Sequence, residues 1–283
     1  MSGLSTRGLA RNTLRQIQIA GPFRRGMGGY EYVEWALYAH DPHRFIFGHD
    51  GRYPVLTKDE HRVTDPEQPF RDLPYLRVLL DCLLVSGHFV PPTEAHYALD
   101  WGIPLAHLEQ MDYQGVVFLE KSRQIMASWL CVAYLLWRAK FHAHQLILIQ
   151  SKKEEDAAKF VYMKEPQQAR MSFMESRLPD WMQDGIFSRK EVLIGRLPAP
   201  SRRGAEYGHL YFNNGSHVWG VPQGGSVVRS NTPSCLFSDE CAFQNEFGAS
   251  FQAAMPAIMG GGQLIAVSSP DLGDFAKLVE APV

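Results

Sequence analysis

The chain has 283 residues, of which 45% are hydrophobic and 20% charged, proportions typical of a soluble globular protein with one large or two small domains. The formal net charge of −2 excludes a strongly basic chain, so a nucleic-acid partner would require a local basic surface. The longest apolar run, Trp129–Trp137, is about half of the ~20 residues that span a membrane, so no membrane partner is expected. The cysteines form no C-x-x-C pair, and we expect reduced, buried thiols of a cytosolic protein at Cys82, Cys131, Cys235 and Cys241.

The N-terminal part of the chain, residues 1–90, is predicted to be an arm followed by a helical, lid-like segment. Residues 1–30 carry five arginines and no acid, which fits either a flexible arm or an arm that contacts DNA or a partner protein. Apolar residues at helical spacing predict helices over 30–40 and over 73–87.

Two further segments precede the main domain. The stretch "DPHRFIFGHDGRYPV", residues 41–55, is interpreted as turns around a short strand. Residues 91–112 are rich in Pro, His and Gly, and we predict that they form a linker.

From residue 113 to residue 283 the hydrophobic pattern changes. Short apolar runs predict buried strands, and a hairpin signal "NNGS" splits two β runs over 209–221. Helices are predicted between the strands, one of them broken near Pro166 and another kinked or ended by Pro256. The strands are predicted at 115–119, 145–151, 234–240 and 260–270, and the helices at 127–141, 152–178 and before Gly260. This alternation predicts an α/β domain with a parallel sheet.

Chemically useful residues follow three of these strands. Ligands of open α/β sheets bind at the carboxyl ends of the strands. The first strand continues into "EKSRQIMAS", the third ends in Asp239 and Glu240, and the fourth ends in Ser268-Ser269-Pro270.

The first of these loops resembles a phosphate-binding loop that lacks its usual glycines and lysine. The usual pattern is G-x-x-x-x-G-K-[ST]. With Ser128 at the hydroxyl position, Lys121, Met126 and Ala127 stand where the first glycine, the second glycine and the lysine belong. Lys121 or Arg123 could supply the missing cation, and helix N–H groups would still face an anion. A plain strand–helix connection remains the alternative.

Asp239 and Glu240 suit metal-assisted hydrolysis of a nucleoside triphosphate. One carboxylate, with Ser128, would hold Mg²⁺, and the other would orient the attacking water. Adjacent strand residues point to opposite faces of the sheet, so the two acids can serve different purposes. A solvated acidic pair in a turn is the simpler interpretation of the same residues.

Together these motifs resemble those of the large terminase subunit of tailed bacteriophages, the ATPase motor of DNA packaging. "KSRQIMASW" is similar to that family's phosphate loops, in some of which the lysine moves to the loop's start, as at Lys121. "CLFSDECAF" is similar to its hydrophobic-Asp-Glu motif, and "LIAVSSP" to its coupling motif. The resemblance covers about residues 70–275 and implies an additional-strand P-loop NTPase: a central, mainly parallel sheet flanked by helices, after a mostly helical N-terminal segment.

The resemblance also implies roles for particular residues. Glu240, Lys121 and Arg123 would be catalytic, and Ser128 and Asp239 would bind Mg²⁺. The triplet Ser268, Ser269 and Pro270 would couple hydrolysis to movement. The residues implied to contact ATP are Lys121, Ser122, Arg123, Gln124, Ile125, Met126, Ala127, Ser128 and, near the adenine, Tyr75. Motor rings commonly complete the site with an arginine from the neighbouring subunit, for which the candidates are Arg138, Arg202 and Arg203.

The implied activity is ATP hydrolysis coupled to translocation of double-stranded DNA through a portal into a procapsid. The implied partners are double-stranded DNA, the portal protein, the small terminase subunit and further copies of the chain, in a ring on the portal or as monomers in solution. The implied location is the host cell cytoplasm, transiently on the procapsid and not in the mature virion.

Two departures from the family's pattern stand out. Met126 and Ala127 replace its usual Gly-Lys pair, which makes a degenerate assembly module with little hydrolysis one alternative. The family's C-terminal nuclease is absent from residues 1–283, so we expect no DNA cleavage by this chain itself. Another P-loop translocase or helicase-like ATPase is the remaining alternative.

Overall fold

A computed structural model describes residues 29–59, 66–122, 126–184, 205–271 and 273–280. Of the basic arm that was predicted over residues 1–30, residues 1–28 lie outside this part of the chain. None of the described helices is both long and apolar enough to cross a membrane. These helices are α1 Gly29–His40, α2 Pro42–Phe47, α3 Pro74–Ser86, α4 His96–Asp100, α5 Leu105–Gln114, α6 Ala127–Phe141, α7 Glu154–Val161, α8 Arg170–Arg177, α9 Gly225–Arg229, α10 Phe247–Met259 and α11 Asp274–Glu280.

The described strands form a large mixed sheet and a separate two-stranded one. They are β1 Leu56–Lys58, β2 Glu67–Pro69, β3 Val116–Glu120, β4 Leu146–Ser151, β5 Ala205–Glu206, β6 His209–Tyr211, β7 His217–Pro222, β8 Cys235–Asp239 and β9 Gln263–Ser268. The seven-stranded sheet has the order β3-β9-β8-β4-β7-β6-β5, in which the first five strands are parallel and the last two antiparallel. β1 and β2 form an antiparallel pair. The architecture is therefore α/β, with a mainly parallel sheet flanked by helices.

The continuous apolar runs in the central strands are explained by burial on both faces of the sheet. Ile147 and Ile149 belong to a core cluster that also contains α6 and α8 residues. Leu148, between them, belongs to a second cluster with Ala254 and Ile258 of α10. Successive side chains of a strand point to opposite faces, so each face of the sheet is covered by helices.

The parallel register brings three strand ends to one edge of the sheet. Glu120 of β3 pairs with Ser268 of β9, and Asp239 of β8 pairs with Val267. The backbone N–H of Lys121 donates to the carbonyl oxygen of Ser268 at 2.9 Å. β9 therefore lies between the strand before the loop and the strand that ends in Asp239.

The N-terminal helices are packed onto the same core as the sheet. Leu80 and Leu83 of α3 belong to the cluster that contains α6 and β9 residues. Gln263, 2% exposed at the start of β9, donates from Nε2 to the carbonyl oxygen of Leu83 and to Oγ of Ser86. Its Oε1 accepts from the hydroxyl of Tyr134 and from Arg138. One buried side chain therefore joins α3, α6 and β9.

The segment predicted as a linker contains short helices. Pro92–Glu94 forms a 3-10 helix, and α4 and the start of α5 complete the segment. Buried side chains of this segment, among them Ala98 and Leu108, pack against Val78 and Val85 of α3. This part of the chain therefore lies on α3.

Several element predictions are confirmed and one is wrong. The helix over 127–141 is α6, and the helix over 152–178 is broken as expected, with a 3-10 turn at Pro166–Gln168 between α7 and α8. "HRFIF" is helical in α2 rather than a strand, because the Asp41 carboxylate caps the Arg44 N–H at 3.0 Å and Pro42 suits the first helical position. α10 continues past Pro256 to Met259, and all four cysteines are free and buried.

Candidate functional site

A hydrogen bond joins the start of α6 to the end of β8. Oγ of Ser128, the second residue of α6, donates to Oδ1 of Asp239 at 2.9 Å. Asp239 is the last residue of β8, which puts it at the carboxyl edge of the sheet. The structure therefore brings together the two side chains that the sequence predicts as Mg²⁺ ligands.

The residue before α6 has a conformation that usually requires glycine. Met126 has φ 57° and ψ 8°, in the left-handed region, and is the N-cap of α6. For a residue other than glycine this costs roughly 1–2 kcal/mol. The Met126 side chain is half-buried and packs against the main core cluster, which offsets part of that cost. The residue at the second-glycine position therefore has a left-handed backbone, whereas Arg123, Gln124 and Ile125 lie outside the described residues.

Asp239 is a buried carboxyl, and one hydroxyl and two cations lower its pKa. It is 7% exposed, and burial raises its pKa above the ordinary value, while the hydrogen bond from Ser128 lowers it. The charges of Lys121 and Arg170 also lower the Asp239 pKa, and Glu240 raises it. A cation bound at Asp239 would relieve the cost of burying this carboxylate.

The oxygen donors at this point suit Mg²⁺. A hydroxyl and a carboxylate are hard ligands, and Mg²⁺ is usually held by one or two protein oxygens together with water and substrate phosphates. Within the described ranges, no group of three or more His, Cys, Asp or Glu side chains could hold a metal ion. Ser128 and Asp239 therefore fit a metal that shares its ligands with a nucleotide, and they do not form a complete metal cage.

Lys121 and Ser122 follow β3 directly. Lys121 is half-buried, and its ammonium is near enough to influence the pKa of both Asp239 and Cys131. Ser122 is exposed. The Lys121 charge thus acts on Asp239, and its replacement of the loop lysine stays a prediction.

Glu240 turns the chain out of the sheet. It has φ 55° and ψ 45°, a second left-handed residue that is not glycine, and its side chain is exposed. Backbone strain of this kind costs of order 1–3 kcal/mol and persists where the surroundings over-determine it, often at functional sites. Here the side chain of Gln244 donates to the carbonyl oxygen of Asp239 at 2.8 Å and to Oγ of Ser238 at 3.0 Å, which fixes the turn on both sides of Glu240.

A cleft of about 760 Å³ opens beside Asp239 and Glu240. Its walls come from the ends of β4 and β8, the start of α6, α7, the start of α8 and the β1–β2 pair. The residues that sequence analysis did not predict here include Lys58, Trp129, Ser151, Phe160 and Arg170. This volume is within the range of small-molecule sites.

The triplet that was predicted to couple hydrolysis to movement, Ser268-Ser269-Pro270, begins inside the sheet and ends outside it. Ser268 is fully buried, and its Oγ accepts from the backbone N–H of Ala242 at 3.1 Å. Ser269 is half-buried and Pro270 exposed. The triplet is thus in direct contact with the segment that follows Glu240.

Other predicted residues are not brought to this site. Arg138 is 5% exposed, and its guanidinium donates to Gln145, Gln263 and the carbonyl oxygen of Ser234, so the prediction that it reaches a neighbouring subunit is wrong. Tyr75 is 37% exposed near the start of α3 and does not line the cleft, so an adenine contact stays a prediction. Arg202 and Arg203 lie outside the described residues.

Sequence comparisons add no further assignment to this site. No known family and no curated protein matches the chain. The geometry itself offers an oxygen pair for a divalent cation, flanking positive charge for an anion, and an exposed carboxylate at the cleft wall. This combination is suited to phosphoryl chemistry.

Proposed function

We propose that this chain is an ATP-hydrolysing enzyme of the additional-strand P-loop class. The observation that carries the proposal is the hydrogen bond of 2.9 Å between Ser128 and Asp239, because it joins the helix after the loop to the Asp-Glu strand. The sheet order supports it, since β9 lies between β3 and β8 as the additional strand. Met126 supports it further, since its left-handed backbone is the conformation that the glycine of a standard loop would supply.

In this proposal each residue has a defined task. The N–H groups at the start of α6 and the Lys121 ammonium bind the phosphates of ATP. Ser128 and Asp239 would hold Mg²⁺, which when bound would neutralise charge on the phosphate oxygens. Glu240 orients a water molecule and accepts its proton as the water oxygen bonds to the γ-phosphorus. The bond from that phosphorus to the β–γ bridging oxygen breaks, and ADP and phosphate leave.

We further propose that hydrolysis drives double-stranded DNA through a portal into a procapsid. Support comes from the similarity of three motifs to those of large terminase subunits, and from their convergence at one edge of the sheet. The partners would be DNA, the portal, the small terminase subunit and further copies of the chain in a ring, in the host cell cytoplasm. A different P-loop translocase is the second candidate, and a degenerate assembly module is the third, favoured by Ala127 in place of the loop lysine.

The experiment is ATP turnover by the chain alone, with double-stranded DNA, and with DNA and portal. Glu240→Gln is the inactive variant, and Glu94→Gln is the matched control, because Glu94 is an exposed acid in the 3-10 helix before α4. Turnover that DNA stimulates and Glu240→Gln abolishes supports the ATPase. Further stimulation by portal supports packaging over another translocase. Full activity of Glu240→Gln would overturn the proposal, and ATP binding without turnover would favour the assembly module.

A further inference from the structure

Among the cations that line the cleft, Arg170 comes from the start of α8 rather than from the loop after β3. Arg170 is the first residue of α8, and it lines the same cleft as Asp239 and Glu240. Its Cζ lies 5.4 Å from the centre of the Trp129 ring and 4.6 Å from the centre of the Phe160 ring. Trp129 directly follows Ser128, so the guanidinium is stacked beside the residues that hold the proposed metal.

The position of Arg170 in its helix is electrostatically unfavourable. The first turn of a helix carries partial positive charge, so an arginine there gains nothing from the helix dipole. Two aromatic faces hold the guanidinium in place, which limits the conformational freedom of a long side chain. The cation is therefore pre-organised at a point where both the helix end and the arginine favour an incoming anion.

Arg170 faces the site, because it lines the same cleft as Asp239 and Glu240. Lys121 directly follows β3, whereas Arg170 begins α8. The two cations therefore belong to different elements of the fold.

We propose that Arg170 recognises the γ-phosphate of ATP from within the same subunit, so that the site distinguishes ATP from ADP. This inference rests on the proposed function, because it assumes a nucleotide held at Ser128 and Asp239. A guanidinium presents paired donors that match phosphate oxygens, and its charge compensates the additional charge of the triphosphate. Lys121, at the loop, then serves the phosphates that ATP and ADP share.

The other arginine of α8, Arg177, has contacts that suit a structural role. Arg177 makes a bidentate ion pair with Glu67 of β2 and lies 5.6 Å from the Phe173 ring centre. It does not line the cleft. Arg177→Gln is therefore a matched control that removes a stacked arginine from the same helix.

The test measures the dissociation constants of ADP and of the non-hydrolysable analogue AMP-PNP, with Mg²⁺, by titration calorimetry. We expect Arg170→Gln to weaken AMP-PNP binding by about 10- to 100-fold and ADP binding by less than about threefold. Arg170→Lys should lose part of the AMP-PNP preference, because it keeps the charge but not the planar fork. Arg177→Gln should preserve both affinities. If Arg170→Gln does not fold, Arg170→Lys decides the question.

Each other outcome counts against the inference. An unchanged ratio of AMP-PNP to ADP affinity in Arg170→Gln, or in Arg170→Lys where only that variant folds, would show that Arg170 does not read the γ-phosphate. An equal loss of affinity for AMP-PNP and for ADP would show that Arg170 maintains the shape of the cleft and does not recognise the γ-phosphate. If the unmodified chain binds neither nucleotide, the proposed function fails as well. If the unmodified chain binds both and hydrolyses ATP, an Arg170 result against the inference leaves the proposed function intact.

Discussion

Ser268 and Ala242 are 26 residues apart in the chain, and Oγ of Ser268 accepts a hydrogen bond from the backbone N–H of Ala242 at 3.1 Å. Ala242 is in the 3-10 turn that immediately follows Glu240. The end of β9 and the segment after the proposed catalytic acid are therefore directly linked. A displacement of that turn during the proposed hydrolysis would reach β9 through this hydrogen bond.

The first prediction concerns this link. Ser268→Ala leaves the Ala242 N–H without its acceptor, and a lost hydrogen bond of this kind costs about 1 kcal/mol. We expect the variant to bind ATP with nearly unchanged affinity but to lose most of its stimulation by DNA. Phosphate release with and without DNA is the measurement. Ser230→Ala, at an exposed serine directly after α9, is the control, and equal stimulation of Ser268→Ala and Ser230→Ala would argue against a coupling role for this contact.

The second prediction is that the Ser128 hydroxyl is required for turnover. Ser128→Ala removes both a proposed metal ligand and the hydrogen bond to Asp239, so we expect ATP turnover to fall by about 10- to 100-fold. Raising the Mg²⁺ concentration should recover part of the loss. Ser230→Ala is a matched control, because Ser230 is an exposed helix-end serine whose hydroxyl bonds only within its own turn. Normal turnover by Ser128→Ala would show that the Ser128 hydroxyl is not part of the catalytic site.

The third prediction separates the two acids. Asp239→Asn should weaken binding of ATP in the presence of Mg²⁺, because Asp239 is buried beside Ser128 and has the geometry of a ligand. Glu240→Gln should bind ATP normally and hydrolyse it about 10²- to 10⁴-fold more slowly, the usual loss for a general base. Nucleotide titrations and single-turnover rates are the measurements. Equal loss of affinity in both variants would contradict this division of tasks.

Much of this site could be predicted because its signals are local. The apolar runs before Asp239 and Ser268 and the helix pattern from Ala127 each lie within a few residues of the side chains they position. The burial of Arg138 was not predicted because two of its three acceptors, Gln263 and Ser234, are 125 and 96 residues away in the chain. Arg170 was missed because it reaches the cleft only when α8 folds back after Pro166. Its one local signal, a basic residue in the first turn of a helix, is weak.

The fourth prediction is a pH dependence of stability. Burial raises the pKa of Asp239, so the folded chain holds this proton more tightly than the unfolded chain, in which the pKa is near 3.8. Stability from this group is therefore lost as the pH rises from about 4 through the folded pKa. Asp239→Asn removes the buried charge, and we expect it to raise the free energy of unfolding of the nucleotide-free protein at about pH 8 and to change it less at about pH 4.5. Urea unfolding at both pH values tests this. An equal increase in the free energy of unfolding at both pH values would contradict this prediction.

The fifth prediction concerns Met126. Met126→Gly removes the left-handed strain but also some packing, so we expect the free energy of unfolding to change by less than about 1 kcal/mol. Met255→Gly is the matched control, because Met255 is also half-buried but lies within α10. There the substitution by glycine lowers the helix propensity. Met255→Gly should be more destabilising by about 2 kcal/mol, measured by chemical denaturation. Equal losses would show that the Met126 backbone is not strained.

The buried hydrogen bonds of Gln263 limit where the chain can bend. Its side chain binds Leu83 and Ser86 of α3 and Tyr134 and Arg138 of α6, and it sits at the base of the strand that ends in Ser268. A hinge between α3 and the sheet would break these contacts and leave buried polar groups unpaired, at about 1–3 kcal/mol for each group. These contacts therefore hold α3, α6 and β9 together as one unit. Under the proposed function, the movement that translocates DNA would therefore come from parts of the chain outside this unit.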